Sequence, residues 1–106
     1  MTVINLNDTV AALPEAWRSR VLGRVGPVCL KVLRMNELPV DEESHDAPEA
    51  LLVLDGRLGL DVGGEVVNVG PGELCVVPAG VRHAVRPGSR GTLVVVELEE
   101  DGHGAA

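Results

Sequence analysis

At 106 residues, with 16 acidic and 9 basic side chains and a formal net charge of −7, the chain has room for a single domain with one modest core. That charge argues against nucleic acid and anionic membrane as partners, because both reward an excess of Lys and Arg. No apolar run approaches the roughly 20 residues that span a bilayer, and the N-terminus lacks the basic start and apolar stretch of a secretory signal, so a cytoplasmic protein is expected.

Trp17 is the only aromatic residue, and without tyrosine no mechanism that needs a tyrosine acid, base or radical can run. A core of Val, Leu and Ala favours strands, and 13 glycines and 7 prolines between short apolar runs mark many turns. In chain order, residues 3–7 suit a short opening strand. Asp8 reads as an N-cap and Pro14-Glu15-Ala16 as a first helical turn, so helical segments are expected over 9–12 and 14–22, stopping at Gly23. Trp17, Val21 and Leu22 then form the apolar side of the second segment, with Trp17 as a packing anchor. Gly26-Pro27 turns into a strand over 28–35. Residues 36–44, with Glu37, Asp41, Glu42 and Glu43, read as an acidic, solvated connection.

Further strands are expected over 49–54, 57–62, 65–69 and 73–78, with Asp55-Gly56 and Gly63-Gly64 as two-residue hairpin turns. A break at Pro78-Ala79-Gly80 precedes 83–86, and a last strand covers 92–98. Seven or eight short strands with frequent turn signals indicate an all-β antiparallel sandwich or barrel. The expected division is an N-terminal strand and short helical segment over 1–24, a β-barrel over 25–98, and a flexible tail of acidic and small residues over 99–106. Cys29 and Cys75 stand in no ligand spacing and read as reduced core thiols.

The chemistry-bearing residues fall into two groups. In an extended chain, residues two apart project from one face, so Glu43 and His45 can aim at one point, and Glu49 joins them if the chain turns at Asp46-Ala47-Pro48. The second group, some forty residues on, is Gly72-x5-Pro78-x-Gly80-x2-His83. Together with Glu43-x-His45-x3-Glu49-x6-Gly56 it resembles the paired motifs of the cupin superfamily, small antiparallel β-barrels of jelly-roll type. The resemblance runs from about residue 28 to 98 and is nearest to small single-domain bacterial members. Two positions depart from the pattern: Glu43 stands where the family's first ligand histidine is usual, and Pro87 where the second motif has asparagine.

The resemblance implies a divalent metal ion held by His45, Glu49 and His83, with Glu43 in the fourth place. Two imidazoles and a carboxylate form a facial triad suited to Fe2+, Mn2+, Ni2+ or Zn2+, and a second carboxylate shifts the preference toward oxygen-favouring ions. The alternative is a metal-free polar pocket in which Glu43 belongs to the solvated run. His103, in the tail, is not an expected ligand. Three functions fit these residues: a metal-dependent enzyme on a small organic molecule, with oxygenase- or isomerase-like chemistry; a non-catalytic module that binds or senses a small molecule or metal; and a structural role with a filled cavity. No separate general base is visible, and the missing tyrosine argues against epimerase chemistry of the sugar-nucleotide kind. Strands apolar on both faces, and the resemblance to small cupins, point to a homodimer.

Overall fold

A computed structural model describes residues 1–44 and 46–98, with Glu42 and Glu43 described by their backbone only; His45 and the expected tail over 99–106 lie outside the described residues. One short helix, α1 (Leu6–Ala11), precedes eight strands: β1 (Arg20–Val25), β2 (Val28–Met35), β3 (Val40–Glu43), β4 (Glu49–Val62), β5 (Glu65–Val69), β6 (Leu74–Val77), β7 (His83–Val85) and β8 (Arg90–Leu98). Every pairing among them is antiparallel, in the order β1-β2-β8-β4-β7-β3, with β5 and β6 also on β4. The all-β barrel is therefore as expected.

The fold turns on β4. Its first half pairs with β8 and β6, its second half with β5 and β7, so one strand serves both walls. Asp55-Gly56 is not the expected hairpin turn but a bend inside this continuous strand, where the register with β8 shifts between Val53 and Asp55. Gly56 has φ 78°, and a Cβ there would lie 2.0 Å from the Arg90 carbonyl oxygen; its ladder partner Gly91, at φ 99°, would meet the Asp55 carbonyl oxygen at 2.2 Å. Two facing glycines thus let the strand bend at close backbone approach, as bulged strands do. Gly63-Gly64, with φ 55° and 90°, does form the expected hairpin into β5.

Three further expectations are corrected. Residues 3–7 do not form a strand: α1 starts at Leu6, and Asn5 rather than Asp8 caps it, its Oδ1 accepting from the Asp8 N–H at 3.0 Å. The Asn5 side chain satisfies a first-turn N–H, and this local capping bond favours a helix start over a strand. Nor is 14–22 helical. Trp17 has φ 65°, outside the helical range, and its N–H donates to the Arg34 carbonyl at 2.8 Å. Residues 20–25 pair with β2, extending the sheet ahead of the expected start at residue 25. A helix of that length is marginal alone, and the open edge of β2 offers a full ladder instead. Finally, the acidic stretch expected as a loop holds β3, which pairs with β7.

Along β2 and β4, alternate residues turn inward. Leu33 and Met35 meet Leu51, Val53, Leu58, Leu60, Val69, Val77, Leu93 and Val95 in the main core. On the outer side of β2, Val10 and Leu13 cover Val32 in a small second cluster.

Candidate functional site

Glu49 opens β4 on its inward face, in phase with Leu51 and Val53. His83 opens β7, directly after a turn in which Gly80 takes φ 74° and the Val81 N–H bonds the Pro78 carbonyl. The two side chains, about 5% and 7% exposed, meet inside the barrel with His83 Nε2 2.9 Å from Glu49 Oε1. The contact joins the two walls, since Glu49 lies in the half of β4 paired with β8 and His83 pairs with the other half. His83 Nδ1 is 3.2 Å from the Val81 carbonyl oxygen. A proton on Nδ1 therefore has its acceptor, and Nε2 is left facing the carboxylate. In such a pair the two facing atoms share one proton or turn their lone pairs toward a cation.

Of the expected ligand set, the structure brings Glu49 and His83 together. Glu43 is the ladder partner of His83, so β3 delivers it next to the pair, although its side chain is not among those described. His45 lies outside the described residues. Among the described residues, no group of three or more His, Cys, Asp or Glu side chains gathers to hold a metal. The donor types that are described, one imidazole nitrogen and one carboxylate oxygen on the wall of a cavity, fit a divalent ion needing at least one further ligand from the Glu43–His45 stretch.

Both side chains line a small cavity, partly open to solvent, whose other walls are hydrocarbon: Leu33, Leu51, Leu58, Leu60, Leu93 and Val95 among them. Trp17 lines it too, its indole Nε1 donating to Asn36 Oδ1 at 2.8 Å. A lone aromatic with its N–H anchored is a fixed plate over an apolar space. It packs against the core, as an anchor should, but from an irregular segment rather than a helix.

Behind Glu49 the interior is charged. Glu97 is its ladder partner on β8, and Lys31 Nζ on β2 lies 2.5 Å from Glu97 Oε1, with side chains about 5% and 11% exposed. Burial pushes the Glu97 carboxyl up; the Lys31 ammonium pulls it back and the Glu49 carboxylate adds to the rise, leaving it above the usual range. Burial, and then the Glu49 charge, also raises the Cys75 thiol. Sequence reasoning passed over Lys31 and Glu97. The signal was there: Lys31 sits in an apolar run in phase with Cys29, Leu33 and Met35, whereas Arg34, the run's other charge, is out of phase with them.

No described helix is long and apolar enough to cross a membrane. No protein of curated function matches the sequence. The crystal structure of a cupin-2 domain containing protein from Shewanella frigidimarina is similar at 23% identity, TM-score 0.84, with 92% of this chain and 95% of that one covered. A protein from Neisseria meningitidis is similar at 25% identity and TM-score 0.80, over 92% of this chain and all of the other. A hydroquinone 1,2-dioxygenase solved in complex with Fe3+ superposes at TM-score 0.85 and 17% identity, over 96% of this chain but 34% of its own. These likenesses speak for the fold. The family model for the cupin domain matches residues 34–99, more than half of the chain, and with that match the chain belongs to the cupin family.

Proposed function

We propose that this cupin holds a divalent metal ion through His45, Glu49 and His83, with Glu43 as a fourth ligand, and binds or transforms a small organic molecule in the adjoining cavity. The observation that carries the reading is the buried Glu49–His83 contact at 2.9 Å on the wall of an otherwise apolar cavity. A carboxylate and an imidazole withdrawn from water are costly unless they serve each other or a cation. When bound, the ion would supply a Lewis acid or an oxygen-binding centre. The chain's own part is to position and to shape: β4 and β7 aim Glu49 and His83, while Trp17, Leu58 and Leu60 give the cavity apolar walls. The Fe3+ in the hydroquinone dioxygenase supports such chemistry by analogy of fold only.

Elemental analysis of protein purified without added metal, and after reconstitution with Fe2+, Mn2+, Ni2+ or Zn2+, tests the reading. The expected result is one ion per chain in wild type, none in His83→Ala, and weakened binding in Glu43→Ala. Glu43→His should retain the ion and shift preference toward nitrogen-favouring metals. Metal content near zero under every condition overturns the proposal.

A second reading has its own support. Glu49 Oε1 and His83 Nε2 already lie at hydrogen-bond distance, which suits a metal-free pocket in a binding or sensing module. That reading expects no metal uptake and retention of a small apolar ligand by the cavity. Either form is proposed to be a homodimer, supported by the exposed apolar side chains Leu54, Leu74, Val76 and Leu98 on the outer face of the β6-β4-β8 wall. Light scattering of the purified protein at twice the mass of one chain is the expected result, and the mass of one chain would refute it.

A further inference from the structure

Lys31 and Glu97 belong to neither cupin motif, yet among the described residues they are largely buried charges beside Glu49. Glu97 stands directly opposite Glu49 in the β4–β8 ladder, and Cys29, 1% exposed, stands opposite Glu97 in the β2–β8 ladder. Lys31, two residues along β2 on the same inward face, reaches diagonally back to Glu97. Three neighbouring strands thus present ammonium, carboxylate and carboxylate in a row, and the row ends at His83.

The charge arithmetic gives the row a direction. Two carboxylates facing each other in a low-dielectric interior repel strongly. Lys31, with its nitrogen against Glu97, neutralises the rear carboxylate and leaves the front one, Glu49, as the net negative charge facing the cavity. A buried ion pair adds little stability compared with apolar residues of the same volume, so stability alone does not account for its presence.

We propose that Lys31 and Glu97 are positioning residues for Glu49, holding its carboxylate against His83 at the cavity wall so that it is set to receive a cation. The role rests on the metal-site reading for its purpose, but not for its geometry. It predicts that the pair is dispensable for folding and needed for full affinity at the site.

The test uses the full chain with two variants. Lys31→Met/Glu97→Leu removes the pair without stranding a charge and is expected to fold. Glu97→Gln keeps the shape and can still accept from Lys31 and donate to Glu49. Crystal structures and Co2+ titrations followed by visible absorption are recorded for both and for wild type. In the double variant Glu49 is expected to leave His83 and the Co2+ Kd to rise by about 10- to 100-fold, the usual effect of removing a group that orients a ligand. Glu97→Gln is expected to keep both the contact and an affinity close to wild type. A double variant with the Glu49–His83 contact intact and an unchanged Kd overturns the proposal and leaves the pair a structural one. If wild type itself takes up no Co2+, the metal reading fails, and the Glu49–His83 distance in the two crystals decides the positioning role by itself.

Discussion

The two ends of the barrel interior are built from the same three strands and differ in kind. Toward one end, β2, β4 and β8 contribute Leu33, Met35, Val53 and Leu93, all buried hydrocarbon. Toward the other they contribute Lys31 and Glu49, equally withdrawn from water, and Glu97, somewhat less so, with His83 meeting them from the opposite wall. The apolar end follows the ordinary rule that burial drives folding. The charged end runs against it, because each ion there loses hydration that only its neighbours restore. Strand pairing alone therefore does not account for what the barrel encloses. One end stabilises the molecule by burying hydrocarbon, and the other is proposed to be kept, at some cost in hydration, for the site.

The largest effect that should break this contrast is removal of one charge from the buried row. Lys31→Met leaves Glu97 and Glu49 facing each other and is expected to cost about 3–5 kcal/mol in urea unfolding near neutral pH. The pH dependence follows from Glu97. Its carboxyl lies above the ordinary range when folded, and removing Lys31 takes away the cause that lowers it. The folded state then binds the proton more tightly than the unfolded chain, so stability is greater at low pH and falls as pH rises through the raised value. The deficit of Lys31→Met should thus shrink in mildly acidic buffer and grow in alkaline buffer. A pH-independent deficit would contradict the charged-row account.

At the apolar end Met35→Ala, at a site 3% exposed and away from the cavity wall, should cost about 2–5 kcal/mol through lost burial and the void left behind. Its metal content should be unchanged, which separates the end that stabilises from the end that binds. The smallest effect sharpens the same comparison outside the barrel. Arg86 and Asp61 form an ion pair at 3.2 Å, but with side chains 45% and 47% exposed. Arg86→Ala should cost less than about 1 kcal/mol by the same unfolding measurement. The same pairing of charges would then matter greatly when buried and little when wet.

Much of this was legible in the sequence, and the exceptions have physical causes. The Val-rich runs at 28–35, 65–69 and 92–98 became β2, β5 and most of β8, because alternating apolar residues between glycine-rich turns have few other ways to bury themselves. Asp55-Gly56 misled, since a positive-φ glycine serves a bend within a strand as well as a hairpin; only the facing Gly91 on β8 distinguishes the two, and that pairing is not local. The acidic connection over 36–44 looked solvated because its composition is polar, yet β7 supplies a partner strand for its residues 40–43. The N-terminal segment differed for a similar reason, with the open edge of β2 outweighing weak helical preference. At the site, spaced motifs identified Glu49 and His83, which the fold does bring together. Lys31 and Glu97 escaped because no motif contains them. The role proposed for them rests on the strand order that sets them behind Glu49.

The most direct test of the central claim is a crystal of the wild-type chain soaked in Zn2+ and measured at the zinc absorption edge. The account predicts an anomalous peak about 2.0–2.2 Å from both His83 Nε2 and a Glu49 carboxylate oxygen, with further coordination from the Glu43–His45 stretch. A map without that peak, with Glu49 and His83 still in direct hydrogen-bonded contact, would contradict it.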